Sequence, residues 1–217
     1  MNAKQPACGV DSVLFDFGGV LAEEGFANGL RAIARRYGLD ENKFRELARE
    51  LVHSTGYIVG RASEARYWQA LRDATGITGS DNELRNEILS RFVPRPFMLD
   101  IVRQLKGSGI RVAILSDQTN WLDELDARYD LFRLFDAVYN SFHVGKSKFD
   151  ASQFSDIVSR MHARPERVLF VDDDKGHYLR ALSMGLSAIR YTGFDAFLRD
   201  LGQYCTFQIP SSGLREG

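Results

Sequence analysis

Asp16 follows the apolar run Val13-Leu14-Phe15 and precedes a Gly18-Gly19 turn. A carboxylate at the C-terminal end of a buried strand lies where open α/β sheets bind ligands, which makes it a candidate nucleophile. Taken alone, such an aspartate serves a turn or a helix cap just as well. Three further apolar runs, however, end in matching polar groups. Ser116 closes Val112–Leu115 and precedes Asp117; a hydroxyl with free backbone N–H groups there can hold a phosphate oxygen, or cap the helix containing Trp121 and Leu125. Asp172, Asp173 and Asp174 follow Val168–Val171. Three adjacent carboxylates repel one another unless a cation or solvent compensates, and hard oxygen ligands with neither His nor Cys beside them suit Mg²⁺. Finally, Gly145-Lys146-Ser147-Lys148 follows Val138–Tyr139 and offers a cation to offset the repulsion between a phosphoryl group and a carboxylate.

These groups need a scaffold that brings strand ends together. The runs Val13–Phe17, Val112–Leu115, Val138–Tyr139, Val168–Val171 and Ala188–Tyr191 are short and almost wholly apolar, as expected of parallel strands buried on both faces. Between them lie apolar stripes at helical spacing: Met98/Ile101/Val102/Leu105, Phe154/Ile157/Val158/Met161 and Phe194/Phe197/Leu198/Leu201. The alternation predicts an α/β, doubly wound (Rossmann-like) core with a parallel sheet. From Ala22 to Val93 only helical patterns occur, in Leu30/Ile33/Ala34/Tyr37, Phe44/Leu47/Ala48/Leu51, Trp68/Leu71 and Leu84/Ile88/Phe92, with Ser63 and Asp81 placed as N-caps. Pro94-Arg95-Pro96 reads as a hinge back to the core. The expected organisation is a core of residues 1–21 and 94–217 with an all-helical cap, 22–93, inserted after the first strand; helices simply packed on the sheet are the alternative. The tail Ser211–Gly217 is expected to fray.

Composition narrows the function. Among 217 residues, 28 Lys and Arg face 29 Asp and Glu, so no broad basic field exists to hold a nucleic-acid backbone or an anionic membrane. No stretch reaches the ~20 apolar residues of a membrane span, and the first residues lack the apolar run of a signal peptide. Cys8 and Cys205 stand far apart without metal-like spacing, which favours two free thiols in a reducing cytoplasm over a disulfide. The expected partner is a small phosphorylated substrate, with the chain a monomer or homodimer.

In order and spacing the four polar elements resemble the haloacid dehalogenase (HAD) superfamily over almost the whole chain. Val13-Leu14-Phe15-Asp16-Phe17-Gly18-Gly19-Val20-Leu21 looks like its first motif and Ile114-Leu115-Ser116-Asp117 its second. Gly145-x-x-Lys148 with Asp150 and Phe154 fits the third, selecting Lys148 over Lys146, although Phe149 stands where a proline is usual. Phe170-Val171-Asp172-Asp173, followed by Ala181 and Gly185, looks like the fourth, and the helical insertion is similar to the family's small C1 cap. Among its branches the chain looks closest to bacterial capped phosphatases, including a glucose-1-phosphate phosphatase branch.

The resemblance implies a Mg²⁺-dependent phosphatase in which Asp16 attacks phosphorus to give an aspartyl-phosphate that water hydrolyses. Mg²⁺ would be held by Asp16, the carbonyl of Gly18, Asp172 and Asp173, and the phosphate by Ser116 and Lys148, with backbone N–H groups of Phe17–Gly19 assisting. One departure matters: the family's general acid, two residues after the nucleophile, is here Gly18. Losing such an acid costs about 10²–10⁴-fold, which predicts a preference for good leaving groups such as anomeric, acyl or aryl phosphates. Glu23 or Glu24 could substitute, or form an exposed acidic hinge. Two rival functions follow. A dehalogenase needs no general acid, but it has no use for the Asp172–Asp173 pair; a non-catalytic phosphate- and Mg²⁺-binding regulator is the other. Substrate identity is expected to be set by the cap face and the loop near Asn28 to Arg31. His53, Arg61, Tyr67 and Trp68 are candidate cap contacts, with surface or core as the alternative, and His177, at a helix start, is read as orienting Lys148 or Asp173 or as facing solvent.

Overall fold

The computed structural model describes residues Cys8–Cys205, so the expected fraying of the tail lies outside it. Five strands form one parallel sheet in the order β3-β2-β1-β4-β5: β1 (Ser12–Phe15), β2 (Arg111–Ser116), β3 (Ala137–Asn140), β4 (Val168–Asp172) and β5 (Ser187–Arg190). All five expected strands are present. Side chains alternate between the two faces. Leu14, Leu115 and Phe170 join one apolar cluster with Phe154 and Ile157, whereas Val13, Phe15, Ile114 and Val171 join another with Met98, Val102 and Phe197. Burial on both sides explains why these runs carry almost no polar residue.

The helices of the sheet layers are α5 (Pro96–Gly107), α6 (Trp121–Tyr129), a short α7 (Ser141–Val144), α8 (Ser152–Arg160), α9 (Lys175–Ser183) and α10 (Phe194–Leu201). Between β1 and α5 stand α1 (Gly25–Arg36), α2 (Glu41–Ser54), a 3₁₀ turn (Tyr57–Val59), α3 (Glu64–Thr75) and α4 (Asp81–Leu89), with no strand among them. Ser63 caps α3 as expected, but α4 is capped by Ser80 rather than Asp81. Ser80 accepts from the Glu83 N–H while the Glu83 carboxylate accepts from the Ser80 N–H, a reciprocal pair that leaves Asp81 as the first helical residue.

The chain leaves and re-enters the sheet layers side by side. Ala22 bridges Pro94, the Arg95 N–H donates to Leu21 O (2.8 Å) and the Glu23 N–H donates to Val93 O (2.9 Å). Arg95 also donates to Gly19 O (2.5 Å), tying the returning segment to the loop after Asp16. Above this junction the inserted helices share one apolar cluster with the sheet. Its centre is aromatic: Trp121, the first residue of α6, stacks on Trp68 of α3 (5.7 Å) and meets Tyr57 edge-on (5.8 Å).

One expectation is overturned. Cys8 and Cys205 are disulfide-bonded and no cysteine is free. The segment leading into β1 pairs antiparallel with the segment after α10, and the Gly9 N–H donates to Tyr204 O (2.6 Å), so residues 197 apart in sequence come to a Cα separation of 4.2 Å. Such proximity is a property of the folded sheet layers, not of spacing along the chain.

Candidate active site

Sheet register builds the site. Phe15 pairs with Ile114 of β2 and Val171 of β4, so the residue after β1, Asp16, comes level with the strand ends that carry Ser116 and Asp172. Asp16 continues the ladder through its N–H to Val171 O (2.9 Å) while its side chain turns out of the sheet. These are the C-terminal ends of the central strands, on either side of the point where strand order reverses.

Asp16 Oδ1 collects three donors: its neighbour's N–H at Phe17 (2.7 Å), Ser116 Oγ (2.7 Å) and Lys148 Nζ (3.0 Å). Ser116 therefore points into the site and does not cap α6, whose N-cap is Asn120. Lys148 is fully buried and also donates to Asp172 Oδ2 (2.6 Å). Its backbone is fixed by Asp117, whose two carboxylate oxygens accept the Lys148 N–H at 2.9 and 3.1 Å. Lys146, in contrast, turns away to Ser152 (2.9 Å) and Asp156. Lys148, not Lys146, is the lysine that lies within this cluster.

The acidic run divides its labour. Asp172 lies in β4, Asp174 caps α9 by accepting the His177 N–H (2.9 Å), and Asp173 reaches back over Gly19. Gly19 has φ +79°, and a Cβ there would sit 2.5 Å from Asp173 Oδ2, so only glycine lets this carboxylate approach. Ligand oxygens of Asp16, Asp172 and Asp173 lie within 4.8 Å of one another. His177 departs from expectation: its ring approaches Asp172 (Nδ1 to Oδ2, 3.4 Å) rather than Lys148 or Asp173.

The electrostatics reflect this crowding. Burial pushes Asp16 up to about 7, against the pull of Lys148 and with a further push from Asp172. Burial and Asp172 likewise raise Asp173. Burial also acts to raise Asp172, but Lys148 and His177 hold it below the ordinary carboxylate range. Burial disfavours a charged Lys148, yet Asp16, Asp172 and Asp117 outweigh it and keep the ammonium protonated. One lysine does not satisfy three converging carboxylates. An all-oxygen cluster short of positive charge, with hard ligands and a glycine cradle, fits a divalent cation such as Mg²⁺.

A cavity of about 440 Å³ opens above these residues, within the roughly 300–1,000 Å³ of small-molecule sites. Gly18 lies in its wall. A Cβ on Gly18 would meet Glu24 Oε2 at 3.3 Å and Phe92 at 3.2 Å, so the Glu24 carboxylate occupies the space a side chain at 18 would enter. Glu24 also caps α1, accepting the Ala27 N–H (3.0 Å), and burial with the nearby Asp173 raises its pKa. Glu23 does neither. It is locked in a bidentate pair with Arg95 (2.9 and 3.0 Å), which lowers its pKa.

Of the candidate substrate contacts, His53 lines the cavity, whereas Tyr67 and Trp68 are buried in the aromatic centre and Arg61 is exposed elsewhere. Asn28 and Arg31, expected in a loop, lie within helix α1 and bond each other (3.0 Å) outside the wall. Sequence reasoning passed over Arg45, Arg49 and Gln118, which do line it. The signal for the two arginines was present: Arg45, Arg49 and His53 stand four residues apart beside the apolar stripe of α2.

A family model described as haloacid dehalogenase-like hydrolase matches residues 10–177. Among curated proteins, bifunctional epoxide hydrolase 2 of Rattus norvegicus is 28% identical over 92% of this chain and 40% of its own length. The Mus musculus protein of the same name is 29% identical over 58% of this chain and 23% of its own. The chain thus spans well under half the length of these relatives. Among solved structures, a HAD family enzyme from Bacteroides thetaiotaomicron superposes with a TM-score of 0.70 at 20% identity, covering 86% of this chain and 96% of that one. Its structure in complex with magnesium and inorganic phosphate gives 0.60 at 20% identity, covering 83% and 93%. L-2-haloacid dehalogenase from Xanthobacter autotrophicus, with chloropropionic acid covalently bound, gives 0.64 at 20% identity, covering 89% and 83%. At these identities the likeness to the solved structures is one of fold. The family match begins just before β1 and ends in α9, taking in all four strand ends that build the site, and the chain belongs to the haloacid dehalogenase-like hydrolases.

Proposed function

We propose that this hydrolase is a Mg²⁺-dependent phosphatase that removes phosphate from a small metabolite through an aspartyl-phosphate on Asp16, with residues 22–93 acting as the cap over a core of 1–21 and 94–217. The observation that carries the reading is the convergence of Asp172 and Asp173 on Asp16 within 4.8 Å. An aspartate that attacks carbon gains nothing from two further carboxylates beside it, whereas one that works with a cation and a phosphoryl group does. The Bacteroides enzyme's complex with magnesium and inorganic phosphate supports the same choice. The Xanthobacter dehalogenase shares the fold, and the acidic pair argues against its chemistry here.

In this reading the carboxylates of Asp16, Asp172 and Asp173 with the Gly18 carbonyl would hold Mg²⁺. A bound Mg²⁺ offsets the negative charge shared between the carboxylates and the phosphoryl oxygens. Asp16 attacks phosphorus in line; the P–O bond to the leaving group breaks as the Asp16–phosphorus bond forms. Ser116 and Lys148, both hydrogen-bonded to Asp16 in the resting site, hold phosphoryl oxygens. Glu24 gives a proton to the departing oxygen. Its carboxylate then takes a proton from water as that water attacks phosphorus, releasing inorganic phosphate and restoring Asp16. The support for Glu24 is its position in the space above Gly18 and its raised pKa.

The experiment is release of phosphate from p-nitrophenyl phosphate with and without Mg²⁺. Activity abolished both by EDTA and by Asp16→Asn is the expected result. Turnover that survives either change overturns the mechanism. Binding of Mg²⁺ and phosphate with no turnover across a broad panel of esters favours the regulatory reading.

A further inference from the structure

The cavity has a second charged wall that the phosphoryl chemistry leaves unused. Arg45, Arg49 and His53 project from α2 at four-residue spacing, one above another along about 12 Å of helix, and all three line the cavity. Among the described residues neither Arg45 nor Arg49 has a carboxylate within 4.0 Å, unlike Arg72, Arg85, Arg95 and Arg167, which are all paired. Glu46 also lines the cavity and Arg49 pulls on the Glu24 carboxylate, but neither acid forms an ion pair with Arg45 or Arg49. Arg49 is oriented by Phe149, whose ring lies 5.8 Å from its guanidinium and 5.0 Å from the ring of His53. Phe26, Val52, Ile58 and Trp121 add apolar lining to the same cavity, and the Phe149 ring, 5.2 Å from His177, links this wall to the strand-end site.

The cavity therefore carries three kinds of surface: the strand-end anion site, apolar lining and a cationic wall. The volume of about 440 Å³ far exceeds what a phosphate alone fills. A neutral alcohol would leave two guanidiniums unmatched, and a cationic one would meet them with like charge. Building on the phosphatase reading, we propose that the substrate is a phosphate monoester whose apolar body ends in a second anionic group, held by Arg45 and Arg49. Carboxylate and phosphate are the two forms that group can take, and both accept forked hydrogen bonds from guanidinium.

The test compares phenyl phosphate, 4-carboxyphenyl phosphate and 1,4-phenylene bisphosphate with the Mg²⁺-loaded protein, reading kcat/KM from released phosphate. At least one of the two compounds that bear a second anionic group is expected to exceed phenyl phosphate about tenfold, mostly through KM, as charge-assisted hydrogen bonds predict. Which compound gains identifies the second group. In Arg45→Gln/Arg49→Gln the advantage should collapse to near one, while Arg160→Gln, on α8 away from the cavity, keeps it. Equal rates for all three compounds, or an advantage retained in the double variant, overturn the proposal. Kd values for benzylphosphonate and 4-carboxybenzylphosphonate make the same comparison without turnover. No hydrolysis with a clear Kd preference refutes the phosphatase reading alone; hydrolysis with equal Kd values refutes the anionic substrate alone.

Discussion

Gly19 and Glu24 show how single residues set this site. At Gly19 a positive φ and the 2.5 Å between a notional Cβ and Asp173 Oδ2 combine, so Gly19→Ala must displace the carboxylate. Positioning changes of that kind typically weaken metal binding about 10–100-fold. The Mg²⁺ concentration for half-maximal activity should rise by that order in Gly19→Ala, and an unchanged requirement would show that Asp173 is no ligand. Glu24 makes a separate prediction. If its carboxyl protonates the leaving oxygen, Glu24→Gln loses about 10²–10⁴-fold in kcat/KM on alkyl phosphates and far less on p-nitrophenyl phosphate, whose leaving group needs no proton, while kcat, which includes the shared hydrolysis step, falls on both. Equal losses in kcat/KM on both would deny Glu24 the acid role. Gly18 lacks the acid, and the expectation of a narrow preference for good leaving groups weakens to the extent that Glu24 replaces it.

At the scale of elements, the inserted helices are held by aromatic packing rather than by charge. Trp68 is completely buried, stacks on Trp121 and donates from Nε1 to Glu64 (2.8 Å), which in turn pairs with Arg85 (2.9 Å). Trp68→Ala should therefore cost about 3–5 kcal/mol, visible as a lower denaturation midpoint. A loss near zero would mean that α3 moves independently of α6. The same helices divide their faces by task. α2 buries Phe44, Ala48 and Val52 and turns Arg45, Arg49 and His53 to the cavity. Burial lowers the pKa of His53, so this row offers two cations and a largely neutral imidazole at neutral pH.

The whole molecule is closed by the Cys8–Cys205 bond, which joins the approach to the central strand with the segment after the last helix. A cross-link enclosing nearly the entire chain restricts the unfolded state most, and such bonds are typically worth about 2–4 kcal/mol. Cys8→Ser/Cys205→Ser, or reduction, should lower the unfolding free energy by that amount while leaving Mg²⁺-dependent turnover in place, because the bond lies at the edge of the fold remote from Asp16. An unchanged denaturation midpoint on reduction would show that the bond does not constrain the unfolded chain.

By itself the sequence determined the doubly wound core, its five strands and the residues at their ends, because burial on both faces leaves an unmistakable apolar run and a polar break after it. Asp16, Ser116, Asp172 and Asp173 were legible for that reason, whereas Lys148, beyond β3 and α7, was distinguished from Lys146 only by the family resemblance. What it left open depended on contacts between residues distant along the chain. Whether Glu23 or Glu24 faced the site, which side of α2 lined the cavity and whether Cys8 met Cys205 were decided by how the inserted helices pack on the sheet layers. No local periodicity encodes those meetings: Glu23 pairs with Arg95, 72 residues away along the chain, while the Glu24 carboxylate lies over Gly18.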